Sequence, residues 1–159
     1  MSDFSHINKD NQPKMVDVGP KEVSKRKAVA ESYVFLGRDL MAMLDDQGEI
    51  KAKKGPVFQT AIIAGIQGVK QTANLIPMCH PLLIDGVDVE IKPFDKESIR
   101  IEVTVKIEGK TGVEMEALMG ANVSALTVYD MCKAINPHIE IRNTRVIHKQ
   151  GGKRDFSHG

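Results

Sequence analysis

The residue pattern predicts an α+β fold of the ferredoxin-like kind, βαββαβ, with an antiparallel sheet and its helices on one face. Three observations carry this. Ile99, Ile101, Val103, Val105 and Ile107 alternate with Arg100, Glu102, Thr104 and Lys106, the period-two signature of a strand with one dry face. Two segments, Val57 to Val69 and Val113 to Ile135, are apolar near helical spacing or apolar nearly throughout. The segments run strand, helix, strand, strand, helix, strand, which is the split βαβ order.

Taken along the chain, residues 1–13 read as a polar, flexible arm ending at Pro13. Residues 14–150 read as one domain, and residues 151–159, with Gly151-Gly152-Lys153-Arg154, as a flexible basic tail. Met15 to Val18 looks like a short strand before the turn chemistry of Gly19-Pro20. Ala28 to Leu36, rich in Val, Tyr and Phe, is a strand, and Arg38 to Leu44 a short helix. Val57 to Val69 is a packed helix. Val87, Val89 and Ile91 alternate with Asp88 and Glu90, and Pro93 to Glu97 turns this strand into the one at 99–107. Thr111-Gly112 starts the long helix and Pro137 ends it. Ile139 to Ile147 is the last strand, with a phase slip between Ile141 and Val146 that calls for a bulge. Helices this apolar, and a sheet with one uncovered face, want more burial than one domain supplies, so the chain is expected to oligomerise.

Composition excludes several classes. The 159 residues are 42% hydrophobic and 27% charged, an ordinary globular balance. A net charge of +1 provides no field for nucleic acid or an acidic membrane. With 4% aromatics and no Trp there is no stacking platform for bases, which sets aside an RNA-recognition module of the same strand order. No apolar run approaches the roughly 20 residues that span a bilayer. Cys79 and Cys132 are too few for a disulfide framework and read as reduced thiols of a cytoplasmic protein.

The chemistry concentrates in three places. On the long helix, Glu116, Thr127 and Asp130 fall within roughly 60° of one another, and Lys133 lies one turn past Asp130. Charge on so apolar a segment is either a thin solvated stripe or a site. Glu116 and Asp130 stand about 21 Å apart on an ideal helix. To serve one small substrate, they must come from two subunits related by a two-fold axis, or the helix must break near Gly120. In Leu75 to Leu82, Pro77 and Pro81 bracket Met78-Cys79-His80 and fix the direction of His80, which can move protons or bind phosphate. The basic candidates are Lys54 before Gly55, Lys149 before Gly151-Gly152, and Arg26. With no P-loop pattern, a phosphorylated substrate would be held by such scattered side chains.

These segments together resemble cyclic pyranopterin monophosphate synthase, the C-protein family of molybdenum cofactor biosynthesis. The resemblance rests on Lys14-Met15-Val16-Asp17-Val18, Lys54-Gly55, Ile63 to Ile66, Asn74 to Pro81, Thr111 to Leu118 and Ala125 to Ala134. It implies a ferredoxin-like hexamer of three dimers with sites at dimer interfaces. It implies conversion of (8S)-3′,8-cyclo-7,8-dihydroguanosine 5′-triphosphate to cyclic pyranopterin monophosphate and diphosphate. By the same resemblance Asp130 is the active-site aspartate and Lys133 the catalytic lysine, an acid–base pair. Met78, Cys79, His80, Met115 and Glu116 contact substrate, while Lys54, Lys149 and Arg26 are the basic residues of the site. No resident cofactor or metal site is implied, with Mg²⁺ on the triphosphate left open. Pro56, where Asp or Asn is usual, Lys110 in place of Arg, and Arg154 depart from the family pattern. The rival reading is a non-catalytic ligand-binding regulatory module on the same fold, which needs the site but not the acid–base pair.

Overall fold

The computed structural model describes residues 4–158. β1 (Ser24–Phe35) starts earlier than its apolar stretch, because backbone pairing with a second strand continues through Ser24 to Lys27 whatever their side chains. A one-turn helix, α1 (Arg38–Met41), follows Gly37. A small hairpin, β2 (Lys51–Ala52) and β3 (Gly55–Pro56), then runs directly into α2 (Val57–Leu75). The remaining elements are β4 (Gly86–Pro93), β5 (Ser98–Gly109), α3 (Glu114–Cys132), β6 (Glu140–Gln150) and β7 (Phe156–Ser157). The main sheet has the order β4-β5-β1-β6-β7, and every pairing in it is antiparallel. With α2 and α3 on one face, this is the expected ferredoxin-like α+β arrangement.

The β2–β3 hairpin and β7 are additions to the sequence expectation, α1 stops short of Leu44, and four further details differ. Met15 to Val18 is not a strand: no strand lies beside it, and the Val16 carbonyl is taken by a histidine ring instead. α2 continues past Val69 to Leu75 although the added turns are polar. The Thr72 hydroxyl bonds the Val69 carbonyl, and only Pro77, which forces Ile76 to an extended backbone, stops it. α3 ends at Cys132, and residues 133–135 form a turn whose end is tied down by Asn136 Nδ2 donating to the Leu36 carbonyl at 2.8 Å. β6 carries the expected irregularity between Arg142 and Arg145, with Asn143 at φ +53°, and a second one at Ile147.

At the ends, the Asn8 side chain accepts from the N–H groups of Asp10 and Gln12, and Lys14 N–H reaches the His6 carbonyl. Gly151 presses against the Lys25 carbonyl at φ +94°, where any Cβ would sit 2.0 Å from that oxygen. Only glycine fits there, and the contact seats the start of the tail beside Arg26.

The core lies between the sheet and the helix pair. Ile99, Ile101, Val103 and Val105 are fully buried beneath Ala117, Ala121, Ala125 and Val128 of α3 and Ala61 and Val69 of α2. Each large aliphatic side chain removed from water there stabilises by roughly 1.5–3 kcal/mol. The two helices approach closely because small residues line their seam. A Cβ on Gly120 would meet Val69 at 2.8 Å and Val103 at 2.9 Å, and Ser124 Oγ donates to the Ala61 carbonyl at 2.9 Å. The contacts pair Gly65 with Gly120 and Ser124, and Gly68 with Met119 and Val123, so α2 and α3 run antiparallel.

The opposite face of the sheet is closed by charge rather than left apolar. Glu31, 3% exposed, accepts from Arg100 Nε at 2.8 Å, Arg145 Nε at 3.0 Å and Tyr33 Oη at 3.3 Å. Burial raises the Glu31 pKa, but the two guanidinium groups outweigh it and hold the carboxyl below its ordinary 4.5. A depressed carboxylate stabilises the fold fully above pH 4.5 and loses that contribution as pH falls through its native value. Glu31→Gln is therefore expected to cost about 1–3 kcal/mol at neutral pH. Its urea midpoint should approach that of wild type as the comparison moves from neutral to acid pH, where Glu31 takes up its proton and both chains carry a neutral group. An equal gap at both pH values would refute this account. Several exposed large apolar residues sit on and beside the helix pair, Ile63, Leu75, Met115 and Leu126, with Leu83 beyond α2, while Phe94 packs edge-on against Tyr33 of the charged face.

Candidate active site

The antiparallel helix pair has chemistry at both of its ends. At one end the N-terminus of α2 meets the C-terminus of α3. There the two-residue turn of the β2–β3 hairpin, Lys53-Lys54, presents Lys54 to α3. Lys54 Nζ donates to Asp130 Oδ2 at 2.9 Å, and Lys133 Nζ donates to Asp130 Oδ1 at 2.8 Å. Asp130 is thus the shared acceptor of two ammonium groups. Lys133 first, and Lys54 second, lower its carboxyl pKa to about 2. In return Asp130 raises the Lys133 ammonium above its usual value, keeping it charged. All three side chains are half-exposed, so a ligand can reach them without unfolding anything.

At the other end the segment after α2 meets the start of α3. Met78, Cys79, His80, Met115 and Glu116 line one cleft of about 270 Å³, together with Thr111, Gly112, Glu114, Lys21 and His6. The Val16 carbonyl lies 2.7 Å from His80 Nε2. A carbonyl can only accept, so Nε2 carries the proton and Nδ1 is left to face other partners. Glu116 is 4% exposed, and burial pushes its pKa up, with Glu114 adding to the rise. A buried carboxyl of this kind needs a hydrogen-bond partner, which the amide edge of a heterocycle can provide. Burial and then Glu116 raise the Cys79 thiol, which disfavours its thiolate form.

The basic residues flank this cleft. Lys149 pairs with Glu114, and Arg26 Nε donates to the Gly109 carbonyl at 3.1 Å. A Cβ on Gly152 would lie 3.4 Å from Arg26 and 3.5 Å from Lys149, so the two cations are neighbours across that glycine. Lys110 is occupied by the Gly19 carbonyl at 2.7 Å. Thr127 Oγ1 bonds the Val123 carbonyl of its own helix and joins neither end.

The structure thus gathers Met78, Cys79, His80, Met115 and Glu116 with Lys149 and Arg26 close by, and separately gathers Lys54, Asp130 and Lys133. It does not join the two groups within one chain. α3 is continuous from Glu114 to Cys132, and Gly120 is buried in the seam rather than marking a break. The kinked-helix alternative is thereby overturned, and about 21 Å still separates Glu116 from Asp130 along the helix. Residues that sequence reasoning passed over are Lys21, Thr111 and Glu114 in the cleft. Only Glu114 carried a legible signal, as an acid in the first turn of an apolar helix. Among the described residues no three His, Cys, Asp or Glu side chains gather to hold a metal ion, and no helix is long and apolar enough to cross a membrane.

Comparison with known proteins sets the chain as a whole among relatives. The model of the MoaC family matches residues 15–152. The cyclic pyranopterin monophosphate synthase of Helicobacter pylori (strain HPAG1) is 47% identical over 151 residues, 94% of each chain. The enzyme of the same name from Campylobacter jejuni subsp. jejuni serotype O:23/36 (strain 81-176) is also 47% identical over 151 residues and 94% of each chain. Molybdenum cofactor biosynthesis protein 1 of Dictyostelium discoideum is 44% identical over 168 aligned residues, covering 96% of this chain and 27% of that protein.

Proposed function

The chain belongs to the MoaC family, and from that premise we propose how its two clusters carry out the family's reaction. It is an enzyme of molybdenum cofactor biosynthesis, a lyase that converts (8S)-3′,8-cyclo-7,8-dihydroguanosine 5′-triphosphate to cyclic pyranopterin monophosphate and diphosphate.

The observation that carries our reading of the site is Asp130 holding both Lys54 and Lys133 at the free end of α3. The reaction needs protons moved on a purine-derived ring. It also needs a sugar hydroxyl to attack the α-phosphate as diphosphate departs. Lys133 held protonated and Asp130 held ionised are a proton donor and a proton acceptor in contact, and substrate that draws Lys54 away raises the Asp130 carboxyl back toward the range where it can take a proton. An arriving triphosphate competes with Asp130 for Lys54 and with Glu114 for Lys149. Exchange of one anion for another frees those cations to hold phosphate and to stabilise charge on the leaving group. His80, fixed by Val16, and Arg26 add to that binding. Glu116, with Met78, Cys79 and Met115 around it, orients the ring.

One substrate requires both clusters, and one chain keeps them about 21 Å apart. A two-fold axis across the outer surface of the helix pair would place Asp130 of one copy beside Glu116 of the other. The exposed Ile63, Met115 and Leu126 are the apolar contacts such a dimer would bury. Three such dimers make the homohexamer that we expect in solution, acting in the cytoplasm.

Incubation of the purified protein with the cyclic triphosphate tests the whole reading. Diphosphate should appear in step with a product that oxidation turns into a fluorescent pterin. Binding without either product would favour a regulatory ligand-binding module instead.

A further inference from the structure

The Lys54 hairpin is held in a way that its own residues do not explain. α2 begins at Val57, and its N-cap is Pro56, which has no side-chain acceptor; the first turn contains no acid either. An uncapped N-terminus leaves backbone donors unmet. Here they are met from upstream. Glu49 Oε1 accepts from Phe58 N–H at 2.8 Å, and Glu49 Oε2 from Gln59 N–H at 3.0 Å. These are the second and third helical positions, the donors an N-cap side chain ordinarily serves. Glu49 Oε1 also accepts from Ile50 N–H at 2.8 Å, and the residue is 7% exposed.

Glu49 is itself fixed. Asp45 Oδ1 accepts from the N–H groups of Gln47 and Glu49, and the turn closes through Gly48 at φ +74°. Val57 N–H donates to the Ile50 carbonyl at 2.9 Å, and both residues are fully buried. The hairpin that carries Lys54 is therefore bounded on one side by Glu49-Ile50 and on the other by the first turn of α2. The carboxylate ties these two sides together. Its charge also adds to the burial that pushes the Cys132 thiol, next to Lys133, up to about 11, so Glu49 lies at the Asp130 end of α3.

We propose that Glu49 is a positioning residue for the Lys54–Asp130–Lys133 cluster: it supplies the α2 cap that Pro56 cannot, and so fixes the hairpin that aims Lys54 at Asp130. This rests on the reading of that cluster as part of the active site. Glu49→Gln turns one acceptor into a donor facing backbone N–H groups. We expect kcat/KM for the cyclic triphosphate to fall about tenfold, equivalent to about 1.4 kcal/mol. The Asp130 carboxyl, followed by carbon-13 NMR, should titrate at higher pH as Lys54 loses its place. Pro56→Asp in the Glu49→Gln background restores an N-cap acceptor and should recover most of both losses. Added to Lys54→Ala, Glu49→Gln should cost nothing further.

A lowered melting point with unchanged kcat/KM and an unchanged Asp130 titration would make Glu49 merely structural and overturn the proposal. So would a loss that adds to that of Lys54→Ala. If Glu49→Gln does not fold, the Glu49→Gln/Pro56→Asp chain should match Pro56→Asp alone in kcat/KM, and failure to match overturns the proposal. If Lys54→Ala turns over like wild type, it is the active-site reading that fails. The Asp130 titration in Glu49→Gln then still decides what Glu49 does.

Discussion

Asp130→Ala lowers kcat for the cyclic triphosphate by about 10³-fold, the usual size of an acid–base contribution. The loss has two sources. The carboxylate that accepts a proton is gone, and Lys133 loses the partner that holds its ammonium in place at 2.8 Å and raises its pKa. With its pKa no longer raised, Lys133 gives up its proton at lower pH, so any activity limb that it sets moves toward acid. Asp130→Asn keeps the size and some hydrogen bonding but not the charge, and should be nearly as slow. Neither change should lower the melting point much, because Asp130 is half-exposed and its bonds are to exposed lysines. Turnover within a few-fold of wild type in Asp130→Ala would end the assignment. Retained binding and output in Asp130→Asn would instead support a regulatory module.

A mixture of two inactive variants, Glu116→Ala and Asp130→Ala, recovers about a quarter of wild-type activity if the site is shared across a two-fold axis. The arithmetic follows from symmetry. Random assembly makes about half the dimers mixed. In a mixed dimer, one site receives both substitutions and the other receives neither. Co-expression, or joint unfolding and refolding, provides the exchange, and turnover per protomer is the readout. Activity no higher than that of either variant alone would mean that Glu116 and Asp130 do not meet across this interface. Because α3 is continuous, an arrangement within one chain would then have to leave one of the two residues out of the reaction.

Much of this molecule is legible from residue order. The alternation at 99–107 gives β5 its buried face, since a period of two can serve only a pleated strand with one dry side. The apolar run at 113–135 gives α3 to within a residue or three of its ends. What failed did so for stated reasons. Met15 to Val18 has strand-like residues but no neighbouring edge to bond, and strand formation needs a partner. The last turns of α2 are polar because that part of the helix is half-exposed, so hydrophobic spacing could not extend it, and the stop came from Pro77.

By itself, the sequence determined the strand and helix order, the two ends of α3 as places where charge interrupts an apolar surface, and the 14-position spacing that splits Glu116 from Asp130. Those are local properties, written in periodicity and in residue type. Only the tertiary structure decided that Lys54 and Lys133 share Asp130, that Lys149 answers Glu114, and that Glu49 caps a helix whose own N-cap is proline. Each of these joins side chains by their free valences rather than by a repeating pattern. Lys54 and Asp130, 76 positions apart, meet only because small residues let α2 and α3 lie close and antiparallel.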